Sequence, residues 1–438
     1  MKRALLAAAV VLIPACGIVD LSTVTQPAED QACDVVAQNR RVRDELRAKY
    51  LWYRELPDPD PASFASPEAY LEAVRYKALD THFSYIEDRA EREALFTDSQ
   101  FVGFGFSRTE VAPGDLRVTD VYPGSPAAEA GLQRGARLLE INGRRVEDIL
   151  AAGELDEAIG PGQAGLMRQI RFTDRSGTTR TVTMTKRTVT IPVISVARTY
   201  PVGNRMAGYV SFHNFVQPTI PALDDAFRRL RQEGANELVL DVRYNGGGLV
   251  DVATHLAGLI GGEATRGKTF VRFVHNDKNS ARDSSDALPS PAQALGLSRL
   301  VVITTDHSAS ASELMIAGLR PYMNVTVVGS RTFGKPVGQE PVDFCDKTLV
   351  PVTFFVRNAR GEGDYFDGIP ADCGAPDDLT RELGDGQEGS LAEAFQYLRT
   401  GRCTAAAAAD ARAQSRRRPP DAERLNRKSP WQSLLNSY

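Results

Sequence analysis

Two polar residues, 25 positions apart, offer a nucleophile and a base without histidine. Ser310 lies in the small-residue run Ser-Ala-Ser-Ala-Ser-Glu at residues 308–313, and Lys335 ends the run Thr-Phe-Gly-Lys at residues 332–335. A serine hydroxyl becomes an effective nucleophile when a neighbouring group removes its proton. A lysine does this only in its neutral form, which burial favours because it lowers the pKa of the amine. The pattern therefore predicts acyl transfer on a serine activated by a lysine.

The segments around Ser310 predict a site for developing negative charge. A helix is expected over residues 313–319, ended by Pro321, so that Ser310 lies just before its N-terminus. Free backbone N–H groups and the positive end of the helix dipole gather there, which suits an oxyanion. A second loop, residues 241–248, follows a buried strand, and its three consecutive glycines permit a tight turn with accessible N–H groups.

These residues resemble the motifs of the C-terminal processing proteases, also called tail-specific proteases, which are serine peptidases of family S41. The family pattern is Ser-Ala-Ser-Ala-Ser-Glu, followed by Thr, Phe or Tyr, Gly, Lys and, four residues later, Gln. The resemblance implies that Ser310 is the nucleophile, Lys335 the general base and Gln339 the residue that orients the lysine.

The same resemblance implies an oxyanion hole made of two backbone N–H groups. The family's Asp-x-Arg-x-Asn-x-Gly-Gly loop implies one donor at Gly247, with Gly246 as the near alternative. The residue after the nucleophile, Ala311, is the other implied donor. The chain departs from the family pattern at Pro336, after the lysine, and at residues 330–331, before the threonine. Neither departure removes a catalytic group.

Between about residues 101 and 186, the sequence predicts short strands and glycine-rich turns. Two segments, residues 123–132 and 138–143, resemble a circularly permuted bacterial PDZ domain. Glycines allow backbone N–H groups to point at a carboxylate, and an extended peptide can add to the edge of such a domain. We therefore expect a peptide site at Phe104, Gly105 and Phe106. The alternative is that this segment is only a strand entering the core.

The alternation of strands and helices from about residue 191 to 400 predicts an α/β layered domain. The family resemblance implies that this domain has the ClpP/crotonase-like fold. An N-terminal helical region precedes the PDZ domain, with a helix start at Ser66-Pro67-Glu68. The predicted division is a lipoprotein signal peptide (1–16), a tether (17–32), the helical region (33–98), the PDZ domain (99–187), the S41 protease domain (188–400) and a basic low-complexity tail (401–438).

The N-terminus predicts export. A basic start, an apolar run at residues 4–13 and Cys16 have the form of a secretory signal, and the run is too short to span a bilayer. The residues before Cys16 resemble a bacterial lipobox, with Pro14 an imperfect match. We expect lipid on Cys16 and a place at the periplasmic face of the envelope, anchored to the outer membrane. The alternative is an ordinary cleaved signal.

Composition and cysteine usage narrow the function classes. A net charge of −4 argues against general nucleic-acid binding, and we find no zinc-like spacing, P-loop or dinucleotide motif, so no metal or cofactor is expected.

Beyond Cys16, the chain has four cysteines. An even number in an exported protein predicts disulfides, with three possible pairings left open. These four are Cys33, Cys345, Cys373 and Cys403.

The leading interpretation is a serine endopeptidase that acts on polypeptide tails or unfolded chains, with PDZ recognition of the substrate C-terminus. A non-catalytic protein that binds peptides or apolar ligands on the same fold is the main alternative, because fold alone does not determine function. An esterase or other amidase with the same Ser310 and Lys335 is a third. His307 is a rival base, but its position at a strand end predicts that it points away from Ser310. The oligomeric state stays open.

Overall fold

The structure, a computed structural model, describes residues 33–416. The predicted signal peptide with Cys16, the tether and the last part of the basic tail lie outside the described residues. Among the described helices, none combines the length and the apolar composition needed to cross a bilayer.

Helices dominate the N-terminal region, and they start where the sequence predicts. The Ser66 side chain accepts a hydrogen bond from the Ala69 N–H at 3.2 Å, and Pro67 occupies the first turn of the helix. The elements are α1 (Val35–Lys49), α2 (Pro67–Val74), β1 (Tyr85–Asp88) and α3 (Arg89–Asp98), with 3₁₀ turns at Tyr53–Glu55 and Pro61–Ser63.

Short antiparallel strands form the second region, as its glycine-rich pattern predicts. Its elements are β2 (Gln100–Gly103), β3 (Phe106–Ala112), β4 (Asp115–Val121), α4 (Pro126–Glu129), β5 (Arg137–Ile141), β6 (Arg144–Arg145), α5 (Val146–Ala152), α6 (Leu155–Ile159), β7 (Met167–Thr173), β8 (Thr179–Thr185) and β9 (Arg187–Thr190). Strands β3, β4, β5, β7 and β8 pair in that order, and β6 pairs with β5. Strand β2 pairs with β9 in a separate ribbon. Strand β3 is therefore an edge of the main sheet.

Alternating strands and helices build the third region. Its first half contains β10 (Ile194–Val202), β11 (Arg205–Phe212), α7 (Thr219–Gln232), β12 (Glu237–Asp241), α8 (Val250–Gly261), β13 (Thr269–His275), β14 (Ser284–Ala287) and β15 (Arg299–Thr304). Its second half contains α9 (Ala311–Leu319), β16 (Asn324–Gly329), β17 (Val337–Gln339), β18 (Val342–Phe344), β19 (Lys347–Val350), β20 (Val352–Arg357), β21 (Cys373–Gly374), α10 (Gly389–Thr400) and α11 (Ala405–Arg416). Two 3₁₀ turns lie at Gly262–Ala264 and Ser280–Arg282.

The central sheet brings two loops to one edge: the serine loop, residues 308–313, and the glycine loop, residues 241–248. Its strand order is β10-β11-β12-β15-β16-β21, and every neighbouring pair after β10–β11 is parallel. Side chains of β12 alternate: Leu238 and Leu240 pack in the cluster with α7, α8 and α9, whereas Val239 packs with α10 and α11. A parallel sheet buried on both faces presents its ligand sites at the carboxyl ends of the strands. The glycine and serine loops follow β12 and β15, which are neighbours there.

Two smaller sheets join the N-terminal region to the lysine loop, residues 332–335. One has the order β14-β13-β20-β17, and the other has the order β1-β19-β18. Strand β17 carries Gln339, and β1 of the N-terminal region pairs with β19, which leads directly into β20. The N-terminal region is therefore joined to the α/β domain next to the lysine loop.

Two disulfides confirm the prediction from the even cysteine count and select one of the three pairings. Cys33 bonds to Cys345 across a sequence separation of 312, and Cys373 bonds to Cys403 across a separation of 30. The first disulfide ties Cys33, two residues before α1, to the turn between β18 and β19. The second ties the segment before α11 to β21.

Helix α11 differs from the prediction of a low-complexity tail beginning at residue 401. The alanine run forms the start of this helix, and Ala407 and Ala411 are buried. Alanine has the highest helix propensity, and its small side chain allows close packing of α11 on β21. The described part of the predicted tail is thus a structured element, while residues 417–438 lie outside the described chain.

Removal of the Cys33–Cys345 disulfide is expected to destabilise the protein more than removal of Cys373–Cys403. In the chain-entropy model, the variant without the bond that closes the longer loop loses about 6 kcal/mol in the free energy of unfolding, and the variant without the other bond loses about 3.5 kcal/mol. Denaturant unfolding of the two Cys-to-Ser double variants measures both losses. Equal midpoints for the two variants and the parent would contradict the expectation.

Candidate active site

Ser310 lies in a strained turn at the N-terminus of α9. Its backbone has φ of 55° and ψ of −114°, a left-handed φ that serine rarely adopts. Gly247 packs directly against it, because a Cβ at Gly247 would lie 2.7 Å from the Ser310 Cβ. The flanking serines are buried: Ser308 and Ser312 donate hydrogen bonds to backbone carbonyls of the glycine loop at 2.7 Å and 2.9 Å. Both serines therefore fix the serine loop against the glycine loop.

One buried carboxylate joins the serine loop to the lysine loop. Glu313 Oε2 accepts hydrogen bonds from the backbone N–H groups of Ser310 at 2.9 Å and Lys335 at 2.8 Å. Its Oε1 accepts from the Thr332 hydroxyl at 2.5 Å and the Gly334 N–H at 2.7 Å. Burial raises the pKa of Glu313 to about 7, although the hydrogen bonds oppose the rise. From the sequence, the place of Glu313 in the first turn of the helix predicts only a favourable interaction of its charge with the helix dipole. The four hydrogen bonds, which we call the Glu313 clamp, depend on the tertiary structure.

Lys335 is buried and held by the glutamine that the family pattern indicates. Its Nζ donates to Gln339 Oε1 at 2.7 Å, and Gln339 Nε2 donates in turn to the Phe83 carbonyl. Burial lowers the pKa of Lys335 to about 8, and nearby carboxylates such as Asp80 and Glu313 only partly oppose this. About a tenth of such an amine is neutral at pH 7.

A single cavity of about 210 Å³ brings the three predicted catalytic residues together. Ser310, Lys335 and Gln339 all contribute to its lining. Much of the remaining wall is apolar and comes from Leu249, Val250, Leu314, Val337, Val350, Phe354 and Val356. This wall can bind an apolar substrate side chain and supplies the dry surroundings that favour a neutral lysine.

The backbone donors around Ser310 differ in part from those that the family pattern implies. Ala311 begins α9 and lines the cavity, as expected. The Gly247 N–H instead donates to the Asn245 side chain at 2.9 Å, while Gly246 and Gly248 line the cavity. Within residues 33–416, the N–H groups of Ala311, Gly246 and Gly248 have no hydrogen-bond acceptor. A motif does not reveal this, because the direction of each N–H depends on the dihedral angles of the folded loop.

A buried ion network holds the glycine loop. Arg243 is 1% exposed, and its guanidinium donates to Asp241, to Glu388 at 2.9 Å and 3.0 Å, and to Asp377 at 2.7 Å. Burial would raise the pKa of Asp377, but the charges of Arg243 and Arg134 outweigh it and lower that pKa. Asp241 and Arg243 thus support the glycine loop, and Glu388 and Asp377, which no local motif marks, complete the network.

The second region of the fold, called the β-rich region (β2 to β9, residues 100–190), packs directly on the glycine and serine loops. Arg134, buried before β5, donates to the Thr119 carbonyl at 2.6 Å, to Asp377 at 2.6 Å and to the Tyr244 hydroxyl in the glycine loop. His307 Nε2 lies 3.5 Å from the Thr109 hydroxyl on β3. The His307 ring therefore meets a hydroxyl of the β-rich region, and within residues 33–416 it makes no hydrogen bond to Ser310.

The side chains of the expected peptide site are part of a core. Phe104 and Phe106 are each 1% exposed and pack in the hydrophobic cluster of the β-rich region. This matches the alternative of a strand entering the core, because large aromatic rings gain most from burial. Gly105 has φ of 83°, and Ser125 fills the space where a Cβ would lie, so this position requires glycine. The backbone edge of β3 that pairs with no strand of the described sheet is the feature of this segment that is not part of the core.

The N-terminal region completes the cavity wall, which the sequence did not suggest. Tyr85, Arg92 and Phe96 line the cavity with Ser310, and the Phe83 carbonyl holds Gln339. No local pattern links these residues to the serine motif, since more than two hundred positions separate them. The contact arises through the pairing of β1 with β19.

Comparison with known protein families gives three matches in chain order. The peptidase S41 N-terminal domain matches residues 37–85, a PDZ domain matches residues 117–158, and peptidase family S41 matches residues 206–373. The last range includes both the serine loop and the lysine loop.

Known proteins that resemble the chain have consistent names. The "Probable CtpA-like serine protease" of Staphylococcus aureus strain COL is 28% identical over 320 residues, 72% of this chain and 60% of that protein. The "Carboxy-terminal processing protease CtpA" of Bacillus subtilis strain 168 is 27% identical over 281 residues, 63% of this chain and 57% of that protein. The chain thus spans about 60% of the length of these relatives.

A solved structure agrees with the sequence comparison. The crystal structure of a protein from Bacteroides fragilis NCTC 9343, named "Putative S41 protease", is 27% identical, with a TM-score of 0.67, over 82% of this chain and 96% of that chain. The chain therefore carries a peptidase S41 domain, preceded by an S41 N-terminal domain and a PDZ domain.

Proposed function

We propose that this chain is a serine endopeptidase of the C-terminal processing type, which hydrolyses peptide bonds in polypeptide tails or unfolded chains. The observation that carries the proposal is the cavity shared by Ser310 and the buried Lys335, whose amine is fixed by Gln339. A PDZ domain in the same chain supports a substrate that is presented by its C-terminus.

The chemistry follows from these groups. Neutral Lys335 takes the Ser310 hydroxyl proton while Oγ attacks the substrate carbonyl, and the carbonyl oxygen becomes an oxyanion. The N–H of Ala311, with that of Gly246 or Gly248, stabilises this charge. The C–N bond then breaks, the lysine ammonium protonates the leaving amine, and an acyl-serine remains. Lys335 next deprotonates a water that attacks the ester, which releases the acid and restores Ser310.

The direct test compares the parent chain, without residues 1–16, with its Ser310→Ala form on an unfolded protein. We expect new termini with the parent alone, identified by mass spectrometry. Tight binding without cleavage by both proteins would instead support the non-catalytic alternative. Cleavage of esters but of no peptide would support the esterase alternative.

The pH dependence tests Lys335 as the base. Because the neutral amine is the active form, kcat/KM should rise with pH through a pKa of about 8. Gln339→Glu places an anion against Nζ, which favours the ammonium form and raises this pKa by about 1–2 units. Activity at pH 7 should then fall about 10–100-fold and recover in alkali.

An exposed glutamine at the end of α7 provides the control for that shift. Gln232→Glu adds the same charge far from the cavity, and its pH profile should match the parent. Two results would point to a histidine as the base. One is a pH–rate profile of Gln339→Glu that coincides with that of the parent, and the other is a parent profile that follows a group titrating near pH 6.5.

We also propose that the protein is exported and carries lipid on Cys16, anchored at the periplasmic face of the outer membrane. The support is the sequence of the N-terminal signal, with the two disulfides in agreement with an oxidising compartment. Mass spectrometry of the mature N-terminus tests it. An unmodified terminus at another residue would overturn it.

A further inference from the structure

We propose that Arg92 binds the free carboxylate at the C-terminus of substrates whose scissile bond lies within about three residues of the chain end. The inference rests on the proposed function and adds a specificity residue to it. It assigns to the N-terminal region a direct part in substrate selection.

Arg92 is held in a fixed orientation in the catalytic cavity. It lines the same cavity as Ser310 and Lys335, although it comes from α3 of the N-terminal region. Its guanidinium lies over the Phe96 ring, 4.2 Å from the ring centre, and its NH1 group donates to Glu87 Oε1 at 2.5 Å. The side chain is 17% exposed, so it is largely removed from bulk water. A planar group braced on two sides needs little reordering to bind a ligand.

The charged residues that line the cavity are cations, although the carboxylates of Glu87, Asp80 and Glu313 lie behind them. Among the described residues that line it, Arg92 and Lys335 are cations and none is an Asp or Glu. Lys335 is neutral in the reactive form, which leaves Arg92 as the charge that faces substrate. Glu87 accepts from one of the five donors of the guanidinium and Tyr85 shares a hydrogen bond with Arg92, and the fork geometry of the remaining donors matches a carboxylate. The other lining residues are mostly apolar, so a carboxylate bound there needs such a partner.

The shared cavity limits the distance between that carboxylate and the scissile bond. An extended chain covers about 3.3–3.6 Å per residue. A cavity of about 210 Å³ that contains both Ser310 and Arg92 holds only a few residues between them. A carboxylate at Arg92 therefore places the attacked carbonyl one to three residues from the chain end.

The test compares three forms of one peptide, cleaved three residues from its end: the free acid, the amide, and an amide that carries aspartate at the last position. We expect kcat/KM for the acid to exceed that for the plain amide by at least tenfold. Arg92→Gln should bring this ratio close to one, and Arg92→Lys should keep part of it, because the charge remains without the fork. Arg89→Gln, an exposed position on the same helix, is the matched control and should keep the parent ratio.

Each other outcome counts against the inference. An acid preference that survives Arg92→Gln would place carboxylate recognition elsewhere, such as the PDZ domain. Preference for the aspartate amide over the acid would identify a side-chain carboxylate as the ligand. If Arg92→Gln does not fold, the neutral pair Glu87→Gln with Arg92→Gln replaces it, with the same expected ratio. Ser310-dependent cleavage of unfolded protein without an acid preference would overturn this inference alone, whereas no cleavage at all would overturn the proposed function.

Discussion

Ser310→Ala and Lys335→Ala are each expected to lower kcat/KM by about 10⁴-fold or more, with the fold intact. Both groups act in one proton transfer, so the double variant should be scarcely worse than either single variant. The residual rate would come from binding and from the backbone donors around the cavity. Steady-state kinetics on a cleaved peptide, with circular dichroism to check folding, measures the effect.

His307 provides the control for this assignment. It is three residues from Ser310, but its Nε2 faces the Thr109 hydroxyl at 3.5 Å, so His307→Ala should keep most of the activity. Near-normal turnover of Lys335→Ala together with a large loss in His307→Ala would show that the histidine is the base.

Glu313→Ala should both inactivate and destabilise the protein. It leaves four donors without their acceptor: three buried ones, on the backbone of Lys335 and Gly334 and on the Thr332 hydroxyl, and the partly buried N–H of Ser310. Each such group costs about 1–3 kcal/mol when unsatisfied, so we expect a loss of at least about 4 kcal/mol in the free energy of unfolding. Loss of the clamp also frees the serine loop from the lysine loop, and misplacement of about 1 Å can cost about 10²-fold in rate.

The magnitude of this effect separates a clamp from a simple helix cap. Loss of an ordinary cap costs about 1 kcal/mol, which denaturant unfolding distinguishes from 4 kcal/mol. Glu93→Ala, at an exposed position on α3, is the control and should change stability by less than about 0.5 kcal/mol. A Glu313→Ala protein with normal kcat would show that the two loops are positioned by other contacts.

Local chemistry in the sequence determined much of this protein. Ser310 and Lys335 could be selected because their residue types and local surroundings offer a nucleophile and a base, and the family resemblance added Gln339 as the partner of the lysine. The start of α2 followed from Ser66 and Pro67, since capping depends on neighbouring residues. The alternation of predicted strands and helices in the third region predicted an α/β domain. Each strand and helix could be recognised because the periodicity of its apolar side chains reflects which of its faces is buried.

The tertiary structure alone decided the features that depend on residues far apart in the chain. It selected Cys33–Cys345 and Cys373–Cys403 from three pairings, and it packed the alanine run as α11. It turned the Gly247 N–H toward Asn245, because loop dihedral angles fix that direction and a motif does not. It placed Arg92 in the wall of the cavity through the β1–β19 pairing. Such contacts have no local signature, since the residues become neighbours only when the whole chain has folded.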